Sequence, residues 1–267
     1  ISAGPDQTIC ADGLHTLSGS FTNTTGVIWS GGTGTFGDVN NVNSTYTPSP
    51  SDTTTGIVTL TLTSDATSIC PVFTDNLILT FTPVPTANIG SDIIVCADTT
   101  FISLTGSVAN ATSAQWSSTG DGVFSLTNTA ITTDYYPSMN DTTAGSIQLW
   151  MESTGNGICT GTSDTLAITF TPAPVIDAGQ DQTLCSDVSV ITLSGTLTNV
   201  TQGIWTSNGT GTFTDVNAVS TTYTPTPADA LLNTILFTFT TVDHGICKEY
   251  NDQMFVSLTS SPTVDAG

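Results

Sequence analysis

The chain has no arginine and one lysine, Lys248, against 22 acidic residues, giving a formal charge of −21. A surface of that sign excludes nucleic acid as a partner and excludes docking on an anionic membrane. It also leaves no cations for a phosphate clamp and almost none for Schiff-base chemistry. There are two histidines, His15 and His244, and three methionines. No apolar run approaches the roughly 20 residues of a membrane-spanning helix. No signal peptide is recognisable, so export and anchoring signals are expected to lie outside this stretch. No amphipathic helical window of useful length occurs either. Charged residues make up only 9% of the chain. Threonine, serine, asparagine and glycine therefore carry the surface.

What is present is repetition. Gly4-Pro-Asp6-Gln-Thr-Ile-Cys10, Gly90-Ser-Asp92-Ile-Ile-Val-Cys96 and Gly179-Gln-Asp181-Gln-Thr-Leu-Cys185 share one frame, and Gly267 opens it again. Solenoid repeats run at roughly 20–50 residues; the period here is far longer, so each copy is a whole domain. The boundaries read as 1–86, 87–174 and 175–262, with 263–267 starting a further copy. They fall in Pro83-Val-Pro85 and Pro172-Ala-Pro174, short proline linkers that limit bending. The expectation is a semi-rigid rod on the order of 100 Å long.

The six cysteines come as a pair in each copy: Cys10 and Cys70, Cys96 and Cys159, Cys185 and Cys247. An even count at fixed places points to one disulfide within each domain and to an oxidising, extracytoplasmic setting. Closing a loop of that length stabilises a small domain by about 4 kcal/mol on the chain-entropy model. Buried free thiols are the other reading. Zinc is disfavoured, since no Cys-x2-Cys spacing or matching histidines occur.

Inside each copy the hydrophobic period is 2. Val58-Thr-Leu60-Thr-Leu62, Ile147-Gln-Leu149-Trp-Met151 and Ile235-Leu-Phe237-Thr-Phe239 match one another. So do Leu77, Leu79 and Phe81; Leu166, Ile168 and Phe170; and Met254, Val256 and Leu258. Alternation of this kind marks strands with one face on a core. Trp29, Trp116 and Trp205 recur on an earlier strand and read as core. A glycine-rich hairpin follows, then Phe36, Phe124 and Phe213, then Tyr-x-Pro at Tyr46, Tyr135 and Tyr223. Six to eight short strands per copy give an all-β chain, a tandem array of three immunoglobulin-like antiparallel β-sandwiches with one disulfide each.

Four sets of aspartates recur in frame: Asp6, Asp92 and Asp181; Asp12, Asp98 and Asp187; Asp52, Asp141 and Asp229; Asp75, Asp164 and Asp252. Two readings stay open. Aspartate carboxylates with loop carbonyls suit calcium, with Asp92, Asp177 and Asp181 as candidate ligands at the junctions. Aspartate also caps turns with no ion, and no EF-hand pattern is present. No other cofactor is implied. Catalysis is not expected: the histidines occupy unrelated places in their copies, and Gly31-Gly-Thr-Gly34 follows a strand but precedes no helix. Trp150 stands where the other copies have Thr61 and Thr238, on the outer face of its strand. It reads as a binding contact, a packing residue or a neutral change. Asp-Thr-x and Asn-x-Thr triplets, the latter at Asn23, Asn110 and Asn199, are weak modification signals in so threonine-rich a chain.

The frame from Asp177 to Cys185, Thr192 to Gly195, Ile204-Trp205, Gly211 to Phe213 and Thr222 to Pro225 resembles repeats of giant Bacteroidota surface proteins, including SprB-type gliding adhesins. The second copy departs most, with Asn88-Ile-Gly90 and Ile93-Ile-Val95. The resemblance implies type IX secretion, cell-surface display and a role in gliding motility or adhesion. The expected function is a non-catalytic stalk segment of a long extracellular adhesin or filament. Its partners would be neighbouring repeats and a surface polysaccharide or substratum, without membrane insertion. The rival is a binding module in which each repeat grips its own glycan or protein ligand.

Overall fold

The computed structural model describes residues 1–66, 71–125 and 127–260. Cys70 and the expected start of a further copy at 263–267 lie outside the described residues. The first copy begins with β1 (Gln7–Cys10) and β2 (His15–Thr16), followed by β3 (Val27–Gly31), β4 (Thr35–Phe36) and β5 (Thr45–Thr47). A short helix α1 (Pro50–Thr55) then leads to the long strands β6 (Ile57–Ser64) and β7 (Thr74–Thr82). One sheet has the order β1-β7-β6-β3 and the other β2-β5-β4. Pairing is antiparallel except at the edge, where β1 runs parallel to β7 with Cys10 opposite Thr82.

The same elements recur. The second copy holds β8 (Thr86–Asn88), β9 (Ile93–Cys96), β10 (Ile102–Thr105), β11 (Ser107–Ala109), β12 (Ser113–Ser118), β13 (Val123–Phe124), β14 (Thr132–Tyr136), α2 (Met139–Ala144), β15 (Ser146–Thr154) and β16 (Ser163–Thr171). Again the entry strand is parallel to the last, with Cys96 opposite Thr171. The third holds β17 (Val175–Asp177), β18 (Gln182–Cys185), β19 (Ile191–Ser194), β20 (Thr196–Thr198), β21 (Gln202–Ser207), β22 (Thr212–Phe213), β23 (Ser220–Thr224), β24 (Thr234–Val242) and β25 (Asn251–Thr259). Cys185 stands opposite Thr259 in the same parallel register.

The alternation read from the sequence is the burial pattern found. Leu60, Leu62, Leu77, Leu79 and Trp29 of one sheet meet Leu17 and Tyr46 of the other in a single core. In the third copy Trp205, Phe237, Phe239, Met254 and Val256 meet Ile191, Leu193 and Tyr223. Burying each such side chain contributes roughly 1.5–3 kcal/mol. The chain forms two compact units that divide the second copy between them. The first comprises Ile1–Ser91, Ile102–Tyr136 and Gln148–Leu166; the second comprises Asp92–Phe101, Pro137–Ile147 and Ala167–Gly267.

The short helices are a departure from the all-strand expectation, and their cause is local. Ser49 caps α1: its hydroxyl accepts from Asp52 N at 3.2 Å while Asp52 accepts from Ser49 N at 3.0 Å. This reciprocal capping box satisfies two orphan amides of the first turn. Pro50 at the first position presets φ, and Gly56 ends the helix at φ 79°. Ser138, Asp141 and Gly145 repeat the arrangement on α2. In the third copy a 3-10 turn, Asp229–Leu231, takes this place.

Disulfides form, but not one within each copy as the spacing implied. Because the entry strand is parallel to the last strand, the first cysteine lies where the last strand ends. In the second and third copies the second cysteine, Cys159 or Cys247, lies in the hairpin before that strand begins. In the third copy Cys185 faces Thr259 while Cys247 precedes β25. The length of that nine-residue strand is about 26 Å at roughly 3.3 Å per step. A disulfide tolerates a Cα separation of up to about 7 Å. The in-copy pairs Cys96–Cys159 and Cys185–Cys247 are therefore not made.

Candidate functional site: the covalent junctions between repeats

Cys10 is bonded to Cys159, and Cys96 to Cys247, with Cα separations of 5.1 and 5.0 Å. Each bond joins the strand end of one repeat to the hairpin of the next. The first lies wholly within the first compact unit and the second within the other. Cys185 is an exposed free thiol.

The first junction is built from the linker outward. β7 ends at Thr82, and Pro83-Val84-Pro85 carries the chain to β8. Asn110 Nδ2 donates to Val84 O at 2.8 Å and Thr162 Oγ1 to Pro85 O at 3.1 Å. The linker carbonyls are thus held by side chains of the following repeat. Above them the hairpin between β15 and β16 turns at Gly155 and Gly157, with φ of 67° and 63°, a conformation glycine adopts at little cost. Cys159 N donates to Asn156 O at 3.1 Å. This sets the Cys159 sulfur 3.5 Å from the Thr82 carbonyl oxygen, beside Cys10.

The second junction uses the same parts. Asn199 Nδ2 donates to Ala173 O at 2.9 Å. Cys247 N donates to His244 O at 3.1 Å, and the Cys247 sulfur lies 4.0 Å from Thr171 O. Here an ion pair is added. Lys248 Nζ is 3.0 Å from Asp98 Oδ2, the Tyr250 hydroxyl donates to the same oxygen, and the ammonium sits 5.1 Å from the Tyr250 ring centroid. The Tyr250 hydrogen bond, and then Lys248, hold the Asp98 carboxyl below the usual range. The lone cation of the chain is used inside the protein. Exposed as it is, the pair adds little stability against solvent screening; its value is in register.

Two of the four recurring aspartate sets cap backbone amides. Asp75, Asp164 and Asp252 accept from the amides of Ala3, Ile89 and Ala178 at 2.7, 2.9 and 2.8 Å. Asp6, Asp92 and Asp181 accept from Ile78, Ala167 and Phe255 at 2.9, 2.8 and 2.8 Å. Both sets tie the entry segment of a repeat to its last strand. Asp177 accepts from Gly179 N at 2.7 Å. The calcium candidates Asp92, Asp177 and Asp181 are therefore each engaged with an amide. Among the described residues no group of three His, Cys, Asp or Glu side chains is placed to hold a metal ion.

Asp52 serves a different purpose. It is 5% exposed and accepts from Tyr46 OH at 2.7 Å and from Thr33 N and Oγ1 at 2.9 Å. Burial opposes its charge, but these donors with Ser49 N prevail and hold the carboxyl far below its usual range. Burial and this neighbour push the Tyr46 hydroxyl up to about 12. Gly34 N donates to the same hydroxyl at 2.9 Å, and a Cβ at Gly34 would meet the ring at 2.8 Å. The Gly-Thr-Gly hairpin is thus a lid on a buried Tyr–Asp pair. Tyr223, Asp229, Thr210 and Gly211 repeat it.

Trp150 lies on β15 opposite Ser117, half-buried on the outer face. His15 is buried, its Nε2 without a hydrogen-bond partner, and burial lowers its pKa. The junction asparagines were missed as junction residues. Asn23, Asn110 and Asn199 all adopt positive φ, 59°, 56° and 62°. Their in-frame recurrence was the available signal, since asparagine is among the few residues that take this conformation readily.

No family model matches the chain, and no curated protein matches it. Solved structures do. The I-band fragment I67–I69 of titin superposes with a TM-score of 0.50 at 12% identity, over 97% of this chain and 96% of that one. The eight N-terminal immunoglobulin domains of Down syndrome cell adhesion molecule, isoform 1.30.30, give a TM-score of 0.51 at 9% identity, over 96% of this chain and 36% of that one. At such identities the likeness concerns the fold: this is an all-β tandem of immunoglobulin-like domains.

Proposed function

We propose that the chain is a structural stalk segment of a long extracellular adhesin or surface filament, made of three repeats at 1–86, 87–174 and 175–262, and without catalysis. The observation that supports this is the pair of disulfides between consecutive repeats, Cys10–Cys159 and Cys96–Cys247. A bond within a repeat would stabilise one domain. A bond across a linker instead removes the hinge that every tandem array otherwise has, because two domains joined only by a peptide move relative to each other by default. Neighbouring repeats are then the principal partners of each repeat. Disulfides persist outside the reducing cytosol, which fits secretion. The likeness to SprB-type surface repeats extends this to cell-surface display in a gliding bacterium through type IX secretion, with a surface polysaccharide or substratum met elsewhere in the parent protein.

Small-angle scattering of the oxidised chain, before and after reduction, tests the reading. A stiff, extended particle that gains flexibility on reduction is expected. A particle already flexible when oxidised, and unchanged by reductant, would remove the basis for a stalk.

A further inference from the structure

Independent of the stalk reading, the pairing of the cysteines bears on when the bonds close. Cys10–Cys159 and Cys96–Cys247 interlace: Cys96 lies inside the first loop and Cys159 inside the second. The contacts that bring the sulfurs together are non-covalent and belong to folded repeats. The parallel edge strand carries Cys10 to Thr82 and Cys96 to Thr171. There Ala11 N and Ala97 N donate to the two threonine carbonyls at 2.9 and 2.8 Å. The hairpins set the Cys159 and Cys247 sulfurs against the same carbonyls, and Asn110 and Asn199 hold the linkers between. The cores of the first and third repeats close without sulfur.

Before folding, the preference is the reverse. Cys159 is less than half as far along the chain from Cys96 as Cys247 is, at 151 residues. Closure probability falls with the three-halves power of loop length, so an unfolded chain makes the shorter loop about four times as often. That shorter loop is incompatible with the fold. In the folded second repeat β16, Ser163–Thr171, separates the two cysteines, by about 26 Å at roughly 3.3 Å per residue. A Cys96–Cys159 bond holds its Cα atoms within about 7 Å. It therefore denies β9 its register on β16 and leaves Cys10 and Cys247 without their partners.

We propose that the two bonds close only after the repeats have folded and docked with their thiols reduced, and that a chain oxidised before folding needs a partner with thiol–disulfide isomerase chemistry. The exchange balances. A partner thiolate attacks the Cys159 sulfur of a Cys96–Cys159 bond, and Cys96 leaves as a thiolate. Once the first two repeats have folded, the Cys10 thiolate attacks the Cys159 sulfur of that mixed disulfide, and the partner thiolate leaves. The remaining bond needs an oxidant such as oxidised glutathione. The Cys96 thiolate attacks it and releases one glutathione thiolate, and the Cys247 thiolate attacks the Cys96 sulfur and releases the other. Two electrons and the two thiol protons end on two molecules of reduced glutathione.

The test starts from the intact chain, reduced and unfolded, and needs no variant. One half is diluted into buffer with reductant. Circular dichroism and tryptophan fluorescence should report the sheets and buried tryptophans before any bond forms. A mixture of reduced and oxidised glutathione should then give Cys10–Cys159 and Cys96–Cys247 on peptic mapping at acid pH. The other half is oxidised to completion in denaturant and diluted without thiol. It should hold Cys96–Cys159 about four times as often as Cys96–Cys247. It should reach the interlaced pairing only when reduced glutathione or a protein disulfide isomerase is added. Three results would overturn the proposal: a reduced chain that stays unfolded in buffer, Cys96–Cys159 as the product of the half folded first, or a chain oxidised in denaturant that regains the interlaced bonds with no thiol added.

Discussion

Replacing Cys10, replacing Cys159 and replacing both should cost the first unit the same amount, because all three changes delete one bond. The sequence separation across it is 149 residues. On the chain-entropy model a loop of that length restrains the unfolded chain by about 5 kcal/mol. In a protein of 150–250 residues each kcal/mol moves the melting temperature by about 2–4 °C, so the loss should be roughly 10–20 °C. Scanning calorimetry of Cys10→Ser, Cys159→Ser and the double variant measures it. Pairing within repeats would make the outcome different in kind. Each single change would then delete a separate bond in a separate domain, and the double variant would show both losses added. Additive losses, or a peptide map containing Cys10 joined to Cys70, would refute the reasoning.

Asp52→Ala should destabilise the first repeat by about 3–5 kcal/mol in chemical denaturation, since it strips Tyr46 OH, Thr33 N, Thr33 Oγ1 and Ser49 N of their acceptor and an unmet donor costs about 1–3 kcal/mol where water cannot reach it. The folded carboxyls of Asp52 and Asp229 are held low, so their contribution is complete above the unfolded value near 3.9 and is lost as pH falls through the folded one; melting temperatures followed down from pH 5 should drop, less steeply in Asp52→Asn. His15 titrates lower when folded, so the unfolded state binds the proton first and stability should fall as pH passes below about 6.5; His15→Gln should flatten that slope. Under load, the shortest covalent path in the oxidised chain runs from Cys10 to Cys159, back along the backbone to Cys96, and across to Cys247. It bypasses 11–95 and 160–246, so optical-tweezer extension of unfolded protein should stop near about 330 Å and reach roughly 900 Å after reduction.

The sandwich was legible because its causes are local. Strict alternation at Val58, Leu60 and Leu62 admits only strands with one buried face, and a tryptophan in frame three times has nowhere to go but the core. The helices are legible too: Ser49-Pro50 followed by Asp52 and Gly56 is a complete start and stop signal in under ten residues. The junction was harder. Separations of 60 to 63 residues between cysteines say nothing about which end of a domain each occupies. That depends on the entry strand running parallel to the last strand, a pairing between segments some 70 residues apart. Once Cys96 is placed opposite Thr171, its pairing with Cys159, which lies before the start of that strand, is excluded by the length of one strand. The aspartates stayed ambiguous for a similar reason. A carboxylate that caps an amide 72 residues away looks, in sequence, the same as one that waits for an ion.

The two disulfides overlap in sequence, and that changes what the second repeat is. Its hairpin cysteine, Cys159, reaches back to the first repeat, while its strand-end cysteine, Cys96, reaches forward to the third. The shortest covalent path through this repeat therefore runs from Cys159 back along the backbone to Cys96. The neighbouring segments 11–95 and 160–246 are shielded by the bridges that span them. Such a scheme does not need the linker prolines to resist bending, nor an ion to clamp the junction. The linker carbonyls are held by Asn110, Thr162 and Asn199, and the load does not pass through them. The parts this scheme uses recur: the strand-end cysteine, the asparagine at positive φ and the aspartates that tie the entry segment down in all three copies, and the hairpin cysteine in the second and third. Lys248 and Tyr250 are a local addition at one joint, consistent with a surface whose sign is otherwise uniform.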